Sequence, residues 1–215
     1  MNTNSNTYTV IYSTILVVVV AAVLAFAATA LKGKQEENVK VDTISQILTA
    51  AGLEYNEGDV LQVYKENIKE AILVNAEGQE VGTLNTETIE SLQVYGNSEL
   101  KAQMAADQKS LPVYIFNNGV TVVPCYGAGL WGPIWGYIGF EGDLKTIKAV
   151  CFGHKGEILF EVVKPANRQT ENNGVDAISG ATITSQALGK TLNQWFGFYQ
   201  NYLAKNGVTV NTVEE

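Results

Sequence analysis

The segment 176–185, DAISGATITS, holds the residues of this chain that are best suited to bind a ligand. It gathers the hydroxyl side chains of Ser179, Thr182, Thr184 and Ser185 directly before a predicted helix. The free N–H groups and the dipole at a helix N-terminus favour a phosphate group. The segment therefore has the outline of a phosphate-binding turn.

Two small residues, Gly180 and Ala181, let a ligand approach the backbone of this segment closely. The segment contains neither the GxxxxGK[ST] pattern of a P-loop nor the GxGxxG pattern of a dinucleotide-binding turn. A second interpretation needs no ligand: a tight turn of small residues in which Thr184 or Ser185 caps the following helix. Spacing alone leaves both interpretations open.

The helix that follows this segment has one apolar stripe. Its sequence, SQALGKTLNQWFGFYQNYLAK, carries apolar and aromatic residues at helical spacing. The stripe consists of Leu188, Leu192, Trp195, Phe196 and Tyr199. It must pack on another element of the fold.

The elements upstream are predicted to be strands. The run LPVYIFNNGVTVVPCYG places two β-branched and aromatic stretches around Asn117-Asn118-Gly119, a pattern typical of a hairpin. WGYIGF, EGD and TIKAVCFG predict a second hairpin, and AILVNA followed by EGQ predicts an earlier one. We predict a loop with one helical turn for 84–109, and an α+β fold with a meandering antiparallel sheet and packed helices.

The N-terminal segment 11–31 is uncharged and apolar, and its length suits one transmembrane helix after a tail of residues 1–10. A cleaved secretory signal has a shorter apolar region, of about 7 to 15 residues, and a basic start that this chain lacks. A juxtamembrane helix is predicted for 32–52, with Val41, Ile44, Ile47 and Leu48 on one face. The soluble domain is then 53–215.

Charge and composition exclude other classes of site. The formal net charge is −8 and the sequence pI is about 4.7, with no basic cluster, so binding of nucleic acid is not expected. Cys125 and Cys151 form no CxxC motif, and they lack further soft ligands besides the single histidine, His154. We therefore expect no metal site, and we expect His154 to be a surface turn residue.

The hydroxyl segment resembles a known signature. Five of its residues match Dxx[ST]GA[TS], the motif of flavoproteins in which a dedicated FMN transferase links FMN through its phosphate to the last hydroxyl residue. These are Asp176, Ser179, Gly180, Ala181 and Thr182. The resemblance implies covalent FMN on Thr182, with Thr184 as the other acceptor within reach and Ser185 beside the phosphate.

The resemblance extends over most of the chain. The apolar N-terminus, the helix ending LTAAG and the segment VVPCYGAGLWGPIWGYIGF are similar to the C subunit of Na+-translocating NADH:quinone reductases. The related G subunit of Rnf complexes shares the acceptor motif, but the GLW triplet favours the former. The resemblance implies that Gly129, Leu130 and Trp131 lie near the flavin ring, where Gly127, Gly129 and Gly132 leave the backbone open.

This family implies a redox carrier with no independent active site. Its partners would be the other subunits of the membrane complex, and its flavin domain would lie on the periplasmic side of the bacterial inner membrane. The positive-inside rule taken alone favours the opposite orientation, since Lys32, Lys34 and Lys40 follow the apolar helix and no basic residue precedes it.

One departure from the family pattern follows the second hairpin. Family members continue from the histidine into a Glu-Thr-Pro-Gly-Leu-Gly stretch and a further helical segment, whereas here Glu157 runs directly into Ile158. This predicts a missing block that formed one wall of the flavin pocket. A membrane-tethered binding or assembly module without a working flavin is therefore the alternative function.

Overall fold

The structure is a computed structural model that describes residues 6–129, 132–154 and 182–208, with the backbone alone for residues 7, 154 and 182–186. The elements are α1 (Asn6–Ala50), α2 (Val60–Asn67), β1 (Ile68–Val74), β2 (Glu80–Thr83), α3 (Asn97–Ala105), β3 (Leu111–Phe116), β4 (Thr121–Ala128), β5 (Pro133–Phe140), β6 (Ile147–His154) and α4 (Thr182–Lys205). The chain divides into two compact units, and the boundary lies between Lys40 and Val41.

The apolar N-terminus and the predicted juxtamembrane segment form a single helix, α1. No proline interrupts the sequence, and the polar stretch after residue 31 is rich in Lys, Gln and Glu, which favour helix. Lys32 and Glu36 also form an i,i+4 ion pair of 3.7 Å. By length and composition α1 qualifies to cross a membrane, although a signal sequence near an N-terminus meets the same criterion.

The last turns of α1 belong to the second compact unit, which begins at Val41 rather than after the predicted boundary at residue 52. Ile44, Ile47 and Leu48 are fully buried there, as their spacing predicts. The helix ends where Gly52 adopts a φ of +68°, a conformation that glycine takes at low cost. The predicted helix stop at Gly52 is therefore confirmed.

A six-stranded antiparallel sheet with the order β2-β1-β3-β4-β5-β6 forms the centre of this unit. The hairpins predicted at 117–119, at EGD and at EGQ join β3 to β4, β5 to β6 and β1 to β2. Asn118 shapes the first of these turns, because its Oδ1 accepts from the N–H of Val120 at 3.0 Å. The predicted fold class is confirmed.

Both faces of the sheet are covered by helices, so β3, β4 and β5 are nearly continuously buried. One hydrophobic cluster joins the end of α1 and the helix α2 to the first face of the sheet. The second cluster joins α4, together with Leu100 of α3, to the opposite face. Trp195 and Tyr199 are the largest residues that α4 buries there.

The polar region 84–109 is more ordered than the predicted loop, because it contains the nine-residue helix α3. The backbone N–H of Gly96 donates to Glu99 Oε2 at 3.0 Å and so closes the start of the helix. At its other end, Lys109 Nζ donates to the carbonyls of Gln103, Met104 and Ala106 at 2.7–3.2 Å. The sequence prediction missed these contacts because weak apolar periodicity is the only local pattern here, and α2 was missed for the same reason.

Two buried tyrosines on the α1 side of the sheet differ in the hydrogen bonding of their hydroxyl groups. Tyr64 is fully buried, and among the described residues its hydroxyl has no hydrogen-bond partner. The Tyr114 hydroxyl, equally buried, accepts from the N–H of Tyr95 at 2.9 Å. A buried hydroxyl without a partner already lowers the free energy of unfolding. Removing one member of a buried hydrogen-bonded pair leaves the other member unsatisfied, which lowers the free energy of unfolding by about 1–3 kcal/mol.

We therefore expect Tyr64→Phe to leave the melting temperature of the purified full chain in detergent unchanged or raise it, and Tyr114→Phe to lower it by several degrees. The two variants delete the same atom from equally buried rings, so they are matched. Differential scanning calorimetry measures both. Equal losses in the two variants would contradict the assignment of an unpaired hydroxyl to Tyr64.

Candidate functional site

The glycine-rich segment between β4 and β5 forms the tip of a hairpin. Ala128 pairs with Pro133, and the N–H of Gly129 donates to the carbonyl of Gly132 at 2.8 Å. Leu130 and Trp131 stand between these two glycines in the sequence and lie outside the described residues. The two described glycines therefore lie side by side at the end of β4 and β5.

The glycines of this hairpin do not all leave the backbone open, which corrects the expectation from the sequence. A Cβ at Gly127 would overlap Thr191 Oγ1 of α4, and one at Gly129 would lie 2.8 Å from Ile134 Cγ1. Protein atoms therefore fill both positions. Gly132 has a φ of +148°, a backbone conformation that suits glycine.

The helix α4 crosses the sheet, and its contacts give its direction. Near its C-terminus, Lys205 Nζ donates to the carbonyl of Gly78 in the β1–β2 turn at 3.1 Å. The Tyr199 hydroxyl donates to the carbonyl of Pro112 in β3 at 2.8 Å, and Trp195 Nε1 donates to the carbonyl of Tyr126 in β4. Read toward its N-terminus, α4 thus passes from β1 through β3 to β4.

Continuing in this direction takes the start of α4 toward β5 and β6. Neighbouring strands lie about 4.8 Å apart, and four helical residues advance about 6 Å. Thr182 precedes Thr191 by nine residues, or about 13.5 Å of helix. The N-terminal part of α4 therefore runs past β4, beyond the contact of Thr191 with Gly127.

Some of the hydroxyl residues of the segment 176–185 lie in the described part of α4, and others lie outside the described residues. The described part of α4 begins at Thr182, so Thr184 and Ser185 have helical backbones and neither is the N-cap. The predicted capping role of Thr184 or Ser185 is therefore wrong, because local hydroxyls suit a cap and a helical turn alike. Asp176, Ser179, Gly180 and Ala181 lie outside the described residues.

The strand β6 ends at the same end of the sheet. His154 is its last residue and pairs with Ile134 at the start of β5, so its backbone belongs to a strand and not to the predicted surface turn. Two residues earlier, the ring of Phe152 covers Gly136, where a Cβ would overlap it. Phe152 is half-buried and faces the α4 side of the sheet.

An aromatic residue also lies near the hairpin on the opposite face. Trp135 packs over Gly153, where a Cβ would lie 2.5 Å from the indole ring. Its Nε1 donates to Gln46 Oε1 of α1 at 2.9 Å. The base of the hairpin is therefore fixed on both faces, by α4 on one side and by the end of α1 on the other.

The electrostatics at the start of α4 suit a phosphate. The first four N–H groups of a helix have no partner within the helix, and its N-terminus carries partial positive charge. The first turn of α4 contains no acidic residue that would repel an anion. The backbone at the start of the described part of α4 is therefore suited to a phosphate group.

Neither cysteine is placed for metal or thiolate chemistry. No group of three or more His, Cys, Asp or Glu side chains within the described residues is arranged to hold a metal ion. Burial raises the pKa of the Cys125 thiol to about 12, while a hydrogen bond with the backbone of Gly136 opposes that shift. Burial also raises the pKa of Cys151, which is only half-buried.

Thiol alkylation tests whether α4 covers β4 as described. We expect Cys125, in a Cys151→Ser variant, to react with iodoacetamide at pH 8 at least tenfold more slowly in the native protein than in urea, because a pKa of about 12 leaves little thiolate. Cys151, in a Cys125→Ala variant, serves as the less buried control. Mass spectrometry follows both reactions, and equal native rates would contradict the packing of α4 on β4.

Sequence comparison agrees with the position of this site. Residues 129–197, from the hairpin tip to the middle of α4, match the FMN-binding domain family. The chain is 26% identical over 243 residues to the C subunit of the Na(+)-translocating NADH-quinone reductase of Haemophilus ducreyi, covering 94% of this chain and 93% of that protein. The predicted resemblance to this C subunit is confirmed. The corresponding protein of Vibrio alginolyticus is 24% identical and covers 85% of this chain and 87% of that protein.

Solved structures of the C subunit share the fold. The crystal structure of the C subunit from Parabacteroides distasonis superimposes with a TM-score of 0.65 at 28% identity, covering 84% of this chain and 98% of that chain. The NqrC structure from Shewanella oneidensis gives a TM-score of 0.61 at 20% identity and supports the fold alone, covering 80% of this chain and 100% of that chain. The antiparallel sheet with its packed helices is thus the architecture of these proteins.

The alignment with the Haemophilus ducreyi protein also shows that this chain is shorter. It extends over 243 positions, which exceeds the 215 residues of the whole chain, so residues of the relative have no counterpart here. This agrees with the predicted missing block. Its position between Glu157 and Ile158 stays a prediction, since these residues lie outside the described part of the chain.

Sequence reasoning missed the side chains that hold the site together. Thr191, Phe152 and Gln46 were not singled out, although each packs on or bonds to the base of the hairpin. One pattern could have found them, because glycine within a strand marks a position where another group approaches closely. Gly127 and Gly136 are such positions.

Proposed function

We propose that this chain is a membrane-anchored electron carrier that holds FMN covalently on Thr182, as the C subunit of a Na+-translocating NADH:quinone reductase. The observation that supports this most is that α4, whose described part begins at Thr182, packs on β4 at Gly127, directly before the β4–β5 hairpin tip. The two ends of the FMN-binding match, 129 and 197, belong to these two elements.

The acceptor is proposed from the position of Thr182 within the signature. A phosphate on its Oγ lies at the positive end of α4. Thr184 and Ser185, inside the first turn, offer further N–H and hydroxyl donors to that phosphate. Asp176, Ser179, Gly180 and Ala181 form the approach to the acceptor, and Thr184 is the competing acceptor.

The attachment step balances as a phosphoryl transfer catalysed by an FMN transferase. Thr182 Oγ forms a bond to the phosphorus of an FMN activated as a phosphoanhydride, the anhydride bond breaks, and the hydroxyl proton leaves to a base of the transferase. The product differs from the free chain by FMN minus water.

Bound FMN supplies the one- and two-electron chemistry, while the protein fixes its position and surroundings. The chain's own residues therefore bind and orient. In this proposal the start of α4 holds the phosphate, and Gly129, Leu130 and Trp131, which follow β4 in the sequence, contribute to binding the ring. No residue of this chain is assigned an acid or base role, and substrates of the complex bind on other subunits.

The covalent bond is tested by mutation of the acceptor. After coexpression with an FMN transferase, we expect the tryptic peptide that ends at Lys190 to carry the mass of FMN minus water. We expect Thr182→Ala to lose this mass completely, because no other hydroxyl occupies the acceptor position of the signature. Peptide mass spectrometry measures both.

Thr184→Ala is the matched control, and we expect it to keep the added mass. Loss of the mass in Thr184→Ala but not in Thr182→Ala would show that Thr184, and not Thr182, is the acceptor. Absence of the mass from the unmodified sequence would contradict the proposed function. In-gel fluorescence under ultraviolet light gives the same answer quickly, since covalent flavin survives denaturation.

Two alternatives lead to different results. A tethered binding or assembly module, favoured by the shortened alignment, gives a dark band under ultraviolet light although the chain is folded. The G subunit of an Rnf-type complex gives a fluorescent band but copurifies with different proteins. Copurification therefore separates the two redox complexes.

We further propose that segment 11–31 stays in the bacterial inner membrane as a single-pass anchor and that the flavin domain lies on the periplasmic side. A cysteine placed in the exposed β1–β2 turn, Glu77→Cys in a Cys151→Ser background, reports on this orientation. We expect a membrane-impermeant maleimide to label it in intact spheroplasts. Labelling only after permeabilisation would instead support the orientation favoured by the basic residues after the helix.

A further inference from the structure

We propose that Gly127 of β4 and Thr191 of α4 are positioning residues that set where the start of α4, and thus the phosphate on Thr182, lies relative to the hairpin tip. This inference rests on the proposed function. It assigns a role in flavin placement to two residues outside the acceptor signature.

The side chain of Thr191 fills the space that a side chain at Gly127 would occupy. Gly127 is buried, and Thr191 is 4% exposed. A Cβ at Gly127 would overlap Thr191 Oγ1 and would lie 2.8 Å from its Cβ and 2.9 Å from its Cγ2. Real Cβ atoms essentially never make contacts below 3.0 Å, so any larger residue at 127 requires a shift of Thr191 or of the β4 backbone, which separates α4 from β4.

Thr191 is also the first point, counted from the start of α4, at which a described side chain is fully buried. Residues 187 and 188 are half-buried, and residues 189 and 190 are exposed. The remaining anchors, Trp195, Tyr199 and Lys205, all follow Thr191 in the helix. The N-terminal part of α4 is therefore positioned from the contact at Thr191.

The geometry amplifies a displacement at this contact. Trp195 remains tied to the carbonyl of Tyr126 and acts as a pivot about 6 Å along the helix from Thr191. Thr182 lies about 20 Å from the same pivot. A shift of about 1 Å at Thr191 therefore becomes about 3 Å at Thr182 if the helix turns as a rigid rod.

Such a displacement matters for a covalently held ring. Misplacement of a reacting group by about 1 Å costs on the order of 100-fold in rate. We therefore expect Gly127→Ala to slow attachment of FMN by an added transferase on the order of 10- to 100-fold. In the protein that does become loaded, we expect a shifted flavin absorption spectrum, because the ring no longer meets the hairpin tip in the same way.

A double-mutant cycle tests the pair. Thr191→Gly removes the three atoms nearest to a Cβ at 127, so Gly127→Ala combined with Thr191→Gly is expected to regain most of the attachment rate and the original spectrum. Thr191→Gly alone measures the cost of glycine in the helix, about 1 kcal/mol. Thermal unfolding is followed for all variants.

Gly78→Ala is the control for a general loss of stability. A Cβ there would lie 2.6 Å from the backbone carbon of Asn201, and its φ is +68°, so α4 is disturbed at its far end. We expect Gly78→Ala to lower the melting temperature while attachment rate and flavin spectrum stay unchanged.

The outcomes separate the inference from the function on which it rests. If the unmodified chain acquires no FMN, the proposed function fails. If it acquires FMN and Gly127→Ala does so at the same rate with the same spectrum, or if the second substitution restores neither, the positioning role is overturned. If Gly78→Ala reproduces the effects of Gly127→Ala, the contact is only structural.

Discussion

The close approach of α4 to the end of β4 is the contact on which the rest of the site depends. At Gly127 the strand has no side chain, and Thr191 occupies the space. Trp195 then reaches the carbonyl of Tyr126 one turn further along the helix. Because the strand contributes no side chain here, Thr191 packs directly on its backbone, and α4 lies close to the end of β4 that leads into the hairpin tip.

On the opposite face of the sheet, a glycine likewise lets a helix pack directly on a strand. A Cβ at Gly139 of β5 would overlap the carbonyl oxygen of Ala50, so the end of α1 rests directly on the strand. Asn118 Nδ2 donates to the carbonyl of Ala51 at 3.1 Å, which pairs a carbonyl that the helix end leaves free. Glycines thus let helices approach the sheet on both faces. The strands between the helices are buried on both sides, and their sequences are therefore nearly continuous apolar runs.

Much of this fold was predictable from local patterns. Three hairpins, the helix stop at Gly52 and the apolar face of α1 follow from turn chemistry and periodicity, which depend on near neighbours in the chain. The helices α2 and α3 were missed because their contacts come from distant residues. Tyr95, just before α3, accepts a hydrogen bond through its carbonyl from the Tyr137 hydroxyl at 2.9 Å, which no local pattern reveals.

The sequence by itself determined the residues that this protein can offer for chemistry: an apolar N-terminal helix, a cluster of hydroxyl residues in a recognisable signature and a glycine-rich hairpin. Those features reside in residue types and short spacings. Only the tertiary structure decided that Thr182 is already helical, that Gly127 is filled by Thr191 and is not open to a ligand, and that α4 packs on β4 directly before the β4–β5 hairpin tip. These facts depend on contacts between residues far apart in the chain, where packing and not local preference selects the arrangement.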